Sequence, residues 1–402
     1  PIRVRVTGQY AVTVDIGDAC LPAYPRRQGG MEANHGQFPI SPVSSLAGGD
    51  LPAGLPAQAG PIYRIPHYTV EAQFTTLTET VDWGLAMLGV PELWKQTQGE
   101  GIRVGVCDTG CDLLHPDLNL NTDCFYSYAD FSGSRYGSQD KNGHGTHCAG
   151  IIAARHNEIG VAGVAPRCQL VIAKVLGDNG SGDGYSVAKG IDYCRDQGCQ
   201  IISMSLGSPQ PDSQILAAVR RASAAGIYLI MAAGNEGRED SVNFPARWKF
   251  GVAVGAVDRN GQVARFSSRG EQVDIAAPGQ DVTSTWPGGG YAKLSGTSMA
   301  TPFVAGCVAL LLSRNRQPDV KSPVHDMASL KEHLARTAKD AGPVGRDPSY
   351  GFGLIDPASM LARVEAPAPT GGGYEIDLGP LGKVTLHVPA VAGDLISVGL
   401  AK

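Results

Sequence analysis

Three short segments contain the residue types that an acyl-transfer reaction needs. Asp108 ends the apolar run VGVCD, His144 lies between glycines in NGHGTHCAG, and Ser298 precedes the apolar run MATPFVAG. Such a reaction requires a nucleophile, a base that accepts the proton of the nucleophile, and a carboxylate that orients the base. The chain supplies all three, in an order that is known for catalytic triads.

A fourth polar residue, Asn235, follows the apolar run IMAAG. Its amide can donate a hydrogen bond to a developing oxyanion, and loss of one such donor typically costs about 3–4 kcal/mol of transition-state stabilisation. Each residue alone has a commoner explanation, since a Ser at a helix start is often an N-cap and a His-rich motif can bind a metal. All four occur at a predicted strand end or helix start, so we interpret them as one site.

The elements that must bring these residues together alternate along the chain. Between Glu79 and Leu361, strand-length apolar runs such as QLVIAKVL, QIISMSL and GVAVGAV alternate with helical patterns such as SQILAAVRRASAAG. This alternation predicts a three-layer α/β fold, with a mostly parallel central sheet and helices on both faces. In such sheets the active site lies at the carboxyl ends of the strands.

The sequence outside this central part predicts extensions at both termini. Residues 1–16 alternate apolar and polar around Thr-Gly, which indicates a β-hairpin, and residues 17–78 have the composition of a linker or an extended arm. We place the main domain at 79–361, a second linker at 362–373 and a C-terminal β-hairpin at 374–402. The two hairpins either pair into one small sheet or form independent tails.

The charge of the chain argues against nucleic acid and membrane partners. Its 402 residues include 33 basic and 38 acidic side chains, for a net charge of −5, without a basic run. The longest apolar run, residues 301–312, is too short to cross a bilayer, and no signal-peptide pattern opens the chain. The first residue is Pro, as expected after removal of an initiator Met or in a fragment of a longer precursor.

Nine cysteines occur without any CxxC pair, so neither a zinc ribbon nor a thioredoxin-type motif is indicated. Several lie in apolar runs, where a free thiol packs like a small hydrophobic side chain. We therefore expect reduced thiols and a cytoplasmic protein. Cys107 and Cys148, which lie close to candidate catalytic residues, are either buried structural thiols, which we favour, or redox-sensitive ones.

The sequence resembles the subtilisin-like serine proteases over residues 79–356. DTG, GHGTHCAG, AAGNEG and GTSMATP match motif blocks of that family, and CDTGCDLLHPDL and IISMSLG are most similar to the intracellular subtilisins. The resemblance implies a serine endopeptidase in which Asp108 orients His144, His144 acts as general base and then acid, and Ser298 is the nucleophile. It also implies an oxyanion hole formed by Asn235 and the backbone N–H of Ser298.

By the same resemblance, two edge segments bind an extended substrate between them as an added strand. These segments are Gly180-Ser181-Gly182 and Ser205-Leu206-Gly207. Asn243 matches the floor of the pocket for the residue before the cleaved bond, and Glu236 matches its rim. Since Asn takes more space than Gly, we expect medium-sized side chains to be preferred over the largest aromatic ones, with a basic residue tolerated beside Glu236.

The resemblance also implies a calcium site in the loop after the catalytic histidine, RHNEIGVAGV. Oxygen ligands suit this hard cation. They would be the side chains of Glu79, Asp117 and Asn157 and the backbone carbonyls of Arg155, Ile159 and Val161. An ordinary turn is the alternative. Asp274 matches a second, weaker cation site of the family.

Within the arm, YRIPHYTV at 63–70 resembles the inhibitory Leu-Ile-Pro-aromatic segment of intracellular subtilisin precursors. An extended segment can lie in the cleft, and Pro66, which lacks an N–H, disfavours productive cleavage beside it. The chain departs from the pattern, with Arg64 in place of Leu and His67 before Tyr68. A plain linker is the alternative.

We therefore expect protein or peptide substrates, calcium as cofactor and the arm as an intramolecular inhibitor, with a homodimer as a further option. Two alternative functions stay open. One is a dedicated maturation protease or peptide ligase that acts on one partner, and the other is a catalytically inactive scaffold that only binds peptides. The intact set of catalytic residue types argues against the scaffold.

Overall fold

The computed structural model describes residues 3–6, 60–75, 78–119, 124–317, 320, 322–362, 373–377, 383–387 and 398–401. The chain divides into two compact units: Ala57–Arg363 forms one, and Pro1–Pro56 together with Val364–Lys402 forms the other. Most of the predicted hairpin 1–16, the arm 17–78 and the linker 362–373 lies outside the described residues.

The elements have the following bounds. The strands are β1 (Arg3–Val6), β2 (Ile62–Arg64), β3 (Thr69–Phe74), β4 (Arg103–Asp108), β5 (Phe125–Asp130), β6 (Gln169–Lys174), β7 (Ser181–Asp183), β8 (Ile201–Met204), β9 (Tyr228–Ala232), β10 (Val252–Val257), β11 (Ile275–Pro278), β12 (Val282–Trp286), β13 (Gly290–Ser295), β14 (Gly373–Asp377), β15 (Lys383–His387) and β16 (Val398–Ala401). The helices are α1 (Trp83–Met87), α2 (Val90–Leu93), α3 (Pro116–Asn119), α4 (His144–Ala153), α5 (Gly184–Asp196), α6 (Ser213–Ala224), α7 (Thr297–Arg314), α8 (Met327–Thr337) and α9 (Pro357–Leu361).

Seven parallel strands form the central sheet of the larger unit, in the order β11-β10-β9-β8-β4-β6-β5. Helices α4 and α7 pack together and contribute to the core on one face, while α5 and α6 pack together and contribute to the core on the other. The predicted three-layer α/β fold is confirmed.

Alternate residues of β4, β6 and β9 belong to these two cores. In β4, Val104 and Val106 belong to the core with α4 and α7, while Cys107 belongs to the core with α5 and α6. Successive side chains of a strand point to opposite faces, so a strand covered on both faces is apolar throughout. This explains the continuous apolar runs in the sequence.

The sheet topology positions the candidate catalytic residues. Strand β4 ends at Asp108, and Asn235 follows β9. His144 is the first residue of α4, and Ser298 is the second residue of α7. The carboxyl ends of parallel strands share one edge of the sheet, and crossover helices begin at that edge. Four residues that are far apart in the chain therefore meet at one place.

Helix α7 is long and apolar enough to cross a membrane by length and composition, and it is the one such helix among the described residues. It is almost entirely buried inside the protein, where it packs against α4 and five strands of the central sheet. A helix that is apolar on all sides is typical of a protein core, and burial on all sides accounts for the apolar composition of α7.

In the smaller unit, β14 and β15 form a two-stranded antiparallel pair within the predicted C-terminal hairpin. Strand β1 pairs antiparallel with β16, from Arg3 opposite Ala401 to Val6 opposite Val398. One strand from each predicted terminal hairpin therefore takes part in the same antiparallel pair.

Candidate active site

His144 and Asp108 form a buried hydrogen-bonded pair. Nδ1 of His144 donates to Oδ1 of Asp108 at 2.8 Å, and the backbone N–H of Thr109 donates to the same oxygen at 2.7 Å. Both side chains are buried. With the proton on Nδ1, Nε2 keeps its lone pair, which is the tautomer that a general base needs.

The two histidines of α4 have opposite environments. Burial is the largest single influence on His144 and lowers its pKa, but the charge of Asp108, the hydrogen bond to it and the adjacent Cys148 together raise the pKa well above its ordinary value. Burial lowers the pKa of His147 to about 3, and its Nε2 lies 3.1 Å from the carbonyl oxygen of Val282 and 3.0 Å from that of Ala292. His147 is therefore a neutral core residue, and His144 is the candidate base.

Side chains from other segments hold the N-terminus of α4. Asp140 accepts hydrogen bonds from the N–H of Gly143 and from the N–H and hydroxyl of Thr146, at 2.7 to 2.9 Å. The hydroxyl of Thr109 donates to Asp140 at 3.0 Å and accepts from the N–H of Gly145 at 2.9 Å. A Cβ on Gly145 would lie 2.1 Å from a backbone carbonyl oxygen after β4, so only glycine permits this close approach.

Ser298 lies at the start of α7, and its hydroxyl points to a backbone carbonyl. It donates to the carbonyl oxygen of Ser205 at 3.4 Å, while the hydroxyl of Ser205 donates to the carbonyl oxygen of Ser298 at 2.8 Å. Nε2 of His144 has no hydrogen-bond partner within the described ranges. Hydrogen bonds between nucleophile and base often form only in the substrate complex. Nε2 is therefore available to accept the hydroxyl proton of Ser298.

The amide of Asn235 is oriented by Thr297. Its Oδ1 accepts hydrogen bonds from the N–H and the hydroxyl of Thr297, at 2.9 and 2.8 Å, and its Nδ2 donates to the carbonyl oxygen of His67 at 2.7 Å. A peptide carbonyl thus accepts a hydrogen bond from the predicted oxyanion donor. The sequence analysis missed Thr297, and its signal was the position immediately before Ser298.

The described part of the arm runs between the two predicted edge segments. Strand β2 pairs antiparallel with β7. Arg64 exchanges two backbone hydrogen bonds with Gly207, at 3.0 and 2.8 Å, and the N–H of Ile65 donates to the carbonyl of Gly180 at 3.2 Å. Segments 180–182 and 205–207 therefore flank one extended strand, which is supplied by the chain itself.

The arm continues past the candidate base and joins a second sheet. The ring of Tyr68 lies 5.1 Å from the ring of His144, measured between centroids, and its hydroxyl donates to Asn142 at 3.3 Å. Strand β3 then pairs antiparallel with β13, where the hydroxyl of Ser295 donates to Glu71 at 2.6 Å. Strand pairing thus holds the arm both before and after residues 65–68.

Comparison with known proteins decides the family. Residues 99–353 match the model of the Subtilase family, Peptidase S8. The chain belongs to the subtilase family. It is 45% identical over 282 residues to "Thermostable alkaline protease" of Halalkalibacterium halodurans, an alignment that covers 70% of this chain and 73% of that protein.

Two relatives carry the word intracellular in their names. The chain is 40% identical over 303 residues to "Intracellular serine protease" of Paenibacillus polymyxa, covering 73% of this chain and 90% of that protein. It is 41% identical over 261 residues to "Major intracellular serine protease" of Bacillus subtilis, covering 63% of this chain and 81% of that protein. The predicted resemblance and the serine protease class of this subtilase are confirmed.

The predicted pocket residues of the subtilase contact each other. Nδ2 of Asn243 donates to Oε1 of Glu236 at 2.8 Å, and the hydroxyl of Ser268 donates to Oε2 of Glu236. A Cβ on Gly234, where φ is +116°, would lie 2.6 Å from Oε2 of Glu236 and 2.8 Å from Nδ2 of Asn243. The three polar side chains form one hydrogen-bonded group, and the sequence analysis missed Ser268.

Glu79 closes the loop that contains most of the predicted calcium ligands. Its Oε2 accepts hydrogen bonds from the N–H of Asn157 at 2.6 Å and of Glu158 at 2.9 Å, and its Oε1 contacts Nδ1 of His156. Arg155, Ile159 and Val161, whose carbonyls are the other predicted ligands, belong to the same loop. Both carboxylate oxygens of Glu79 are therefore bonded to this loop.

Asp117 provides the test of whether this loop suits a cation. Its Oδ2 accepts a hydrogen bond from the N–H of Val161 at 2.9 Å, while its Oδ1 is buried and has no hydrogen-bond partner among the residues that the structure describes. Burial raises the pKa of Asp117 to about 6. A buried carboxylate oxygen without a partner, beside backbone carbonyls, fits a hard cation.

Asp274 pairs with a lysine, whereas the resemblance implies that it binds a second cation. Its Oδ2 accepts hydrogen bonds from Nζ of Lys331 and from the N–H of Ala253, both at 2.9 Å. The ammonium group supplies the positive charge that a second cation would bring. We therefore assign no cation to Asp274.

Proposed function

We propose that this subtilase is an endopeptidase that cleaves peptide bonds through an acyl-enzyme on Ser298. The observation that carries the proposal is the hydrogen bond of 2.7 Å from the Asn235 amide to the carbonyl of His67, beside the His144–Asp108 pair. A substrate carbonyl in the same position is polarised and lies next to the nucleophile.

The roles of the residues in this reaction are as follows. Ser298 Oγ attacks the carbonyl carbon while Nε2 of His144 takes its proton, and Asp108 stabilises the resulting imidazolium. The amide of Asn235, fixed by Thr297, donates to the oxyanion. His144 then returns the proton to the leaving amine, and water, activated by the same ring, releases the acyl group.

We propose further that the arm restrains this activity. Its carbonyl at His67 occupies the oxyanion donor, and Tyr68 covers His144. Because β2 and β3 are paired on either side, both products of a cut at the His67–Tyr68 bond would stay in place, and the amine of Tyr68 could attack the acyl-enzyme again. We therefore expect self-cleavage to be slow but complete over time. Pro66 also removes one N–H from the strand that precedes this bond.

Intact mass over time, with calcium present, tests both proposals. We expect the wild type to lose an N-terminal piece that ends between Ile65 and Tyr68, and Ser298→Ala to stay whole. Loss of the piece from both proteins would assign the cut to another protease. If both stay whole while the wild type cleaves casein, the arm is a permanent part of the enzyme.

We propose calcium as the resident cation of the loop, held by Asp117, Asn157 and the carbonyls of Arg155, Ile159 and Val161, with Glu79 closing the loop. Bound calcium would neutralise Asp117 and stabilise the fold by about 2.7 kcal/mol at one hundred times its Kd. Removal of calcium should lower the melting temperature of the wild type and change that of Asp117→Asn little. Asp274→Asn is the matched control and should keep the full calcium response.

For the substrate pocket, we propose a preference for medium-sized side chains before the cleaved bond. The hydrogen bond from Asn243, the proposed floor, to Glu236, the proposed rim, keeps a polar group at each of these positions. A peptide library should show Leu- or Met-sized residues ahead of Phe and Trp, and Asn243→Gly should move the preference toward aromatic residues. A wild-type profile dominated by Phe and Trp would contradict the proposal.

The alternatives are separated by simple assays. A dedicated maturation protease or ligase would leave casein and generic peptides intact, and a ligase would join peptides when an amine is supplied. A peptide-binding scaffold would not react with a fluorophosphonate at Ser298. We also propose a cytoplasmic location, which the eight buried described cysteines, none of which forms a disulfide with another, support.

A further inference from the structure

Lys174, the last residue of β6, is fully buried. Its Nζ donates to the carbonyl oxygen of Thr109 at 2.5 Å and to Oδ1 of Asp178 at 3.0 Å. The side chain of Asp178 is 35% exposed, so the ammonium lies inside the protein while its counter-ion reaches the surface. A lysine is almost never fully buried unless it is paired. One buried nitrogen therefore connects two separate segments of the chain.

The first of these segments begins at Asp108. The N–H of Thr109 donates to the carboxylate of Asp108, and the hydroxyl of Thr109 accepts a hydrogen bond from the start of α4. The backbone carbonyl of Asp108 accepts from the N–H groups of Val175 and Leu176, at 2.9 and 3.1 Å. Lys174 bonds the carbonyl of Thr109. Residues 174–176 thus hold the peptide groups on both sides of Thr109.

The second segment is the loop that carries the predicted edge segment 180–182. Backbone hydrogen bonds within residues 177–181 close this loop on itself, at 2.8 and 2.9 Å. The carbonyl of Gly180 accepts a hydrogen bond from the arm, and β7 pairs with β2. Asp178 fixes the loop from behind, since its carboxylate accepts hydrogen bonds from the buried ammonium and from the hydroxyl of Ser134.

Stability alone does not explain a lysine at this position. Removing an ammonium from water is costly, and an apolar side chain of similar volume is often as stabilising as a buried ion pair. An apolar side chain, however, has no donor. The three N–H groups of an ammonium can reach two acceptors that belong to different segments. The arrangement therefore favours a role in positioning those segments relative to each other.

We propose that Lys174 is a positioning residue, which sets the distance between the turn that orients the base and the edge segment that binds substrate. The proposal rests on the endopeptidase function proposed above. An extended substrate bonded to residues 180–182 must present its carbonyl group to Ser298 while Asp108 holds His144 in place. The ammonium joins these two requirements through one atom.

Steady-state kinetics on two substrates tests this role, after each protein has been incubated with calcium until its mass is constant. A four-residue chromogenic peptide extends along the edge segment, and a single-residue chromogenic ester does not. Lys174→Met should lower kcat/KM on the peptide by about 10²-fold, the loss typical of a misplacement of about 1 Å, and on the ester by a smaller factor. Asp178→Ala should raise KM for the peptide by about tenfold and should affect the ester less.

Lys331→Met is the matched control, because it also removes an ammonium that is paired with an aspartate, Asp274. It should keep kcat and KM on both substrates within about twofold of the wild type. Wild-type kinetics in a folded Lys174→Met would overturn the proposal. If Lys174→Met does not fold, Asp178→Ala decides at the surface, and an unchanged KM for the peptide overturns the proposal.

Combining the two changes tests whether Lys174 acts on substrate through Asp178. Asp178→Ala should raise KM for the peptide in the wild type, but it should change this KM by less than about twofold in Lys174→Met. Such a result would show that the two side chains act as one unit. Full additivity of the two effects would overturn the proposal.

Amide hydrogen exchange gives a readout that does not depend on catalysis. In Ser298→Ala, which we expect to keep its arm, the further change Lys174→Met should speed exchange in residues 177–183 by about tenfold or more, the factor expected for loss of a hydrogen bond to a charged group. Lys331→Met should leave this exchange unchanged. If exchange responds but the wild type cleaves neither substrate, the link between the segments stands and the proposed function fails. Equal exchange with and without Lys174→Met would overturn the link itself.

Discussion

The helices on the two faces of the central sheet begin in different ways. Helices α5 and α6 are preceded by Asp183 and Asp212, whose side chains accept hydrogen bonds from the first free N–H groups of their own helix. Helices α4 and α7 begin after Gly143 and Gly296, which have no capping side chain. Asp140 and Thr109 instead bond the start of α4, and Asn235 bonds the N–H of Thr297 in α7.

This difference shows how the site is assembled. A cap from the preceding residue satisfies the helix locally, and it leaves the helix independent of its neighbours. A cap from another segment satisfies the same N–H groups and also fixes two segments relative to each other. In α4, Thr109 connects the candidate base, His144, to the end of β4. In α7, the candidate oxyanion donor, Asn235, bonds the residue that precedes the candidate nucleophile, Ser298.

The largest effect should come from the carboxylate that orients the base. Asp108→Asn should lower kcat by about 10⁴. Because the charge of Asp108 raises the pKa of His144, the acid limb of kcat/KM against pH should move to lower pH in the variant. Asp212→Asn, a change at a local cap, is the control and should leave the pH profile of the wild type unchanged.

The same pair predicts a pH dependence of stability. The folded-state pKa of His144 is raised above its unfolded value of about 6.5, so the pair stabilises the fold fully below that pH. This contribution is lost as the pH rises through the folded-state pKa. The wild type and Asp108→Asn should therefore differ most in unfolding free energy in mild acid, and an equal difference at all pH values would contradict this account.

The oxyanion donor should give the next largest effect. Asn235→Ala should lower kcat by about 10²–10³ with little change in KM, because the lost hydrogen bond strengthens only in the transition state. Thr297→Val, which removes the hydroxyl that orients the amide, should lower kcat by a smaller factor. Steady-state kinetics on one peptide measures both, and a rise in KM at constant kcat would show that Asn235 only binds substrate.

A further prediction concerns the second histidine of α4. His147 has a folded-state pKa of about 3, so the unfolded chain binds one more proton between pH 3 and about 6.5, and acid destabilises the fold over this range. In His147→Gln the loss of unfolding free energy between pH 7 and pH 5 should be smaller by about 2 kcal/mol. Urea unfolding at the two pH values measures this, and an unchanged loss would contradict it.

The smallest effect should come from a local cap. Asp212→Ala should lower the unfolding free energy by about 1 kcal/mol and leave kcat on a short peptide unchanged. Asp140→Ala removes the carboxylate that bonds both the start of α4 and Thr109 after β4, and it should lower both stability and kcat. If the two variants lose only stability, the bonds between segments do not position the candidate catalytic residues.

Sequence reasoning predicted most of the candidate site because short motifs mark it. Asp108, His144, Asn235 and Ser298 were each recognisable from a glycine-rich segment beside an apolar run. The capping residues of α5 and α6 also follow ordinary rules. Thr297 and Ser268 were missed because their partners, Asn235 and Glu236, are distant in the chain. No periodicity signals a hydrogen bond of that kind.

The sequence by itself determined the layers of the fold and the candidate reacting groups. Apolar runs of strand length specify a sheet buried on both faces, and the residue types limit the chemistry to acyl transfer. Only the tertiary structure decided that His67 faces Asn235, that Lys331 pairs with Asp274, and that Cys148 adjoins His144. These contacts join separate elements, or depend on how a helix is turned, and the packing of those elements sets their distances.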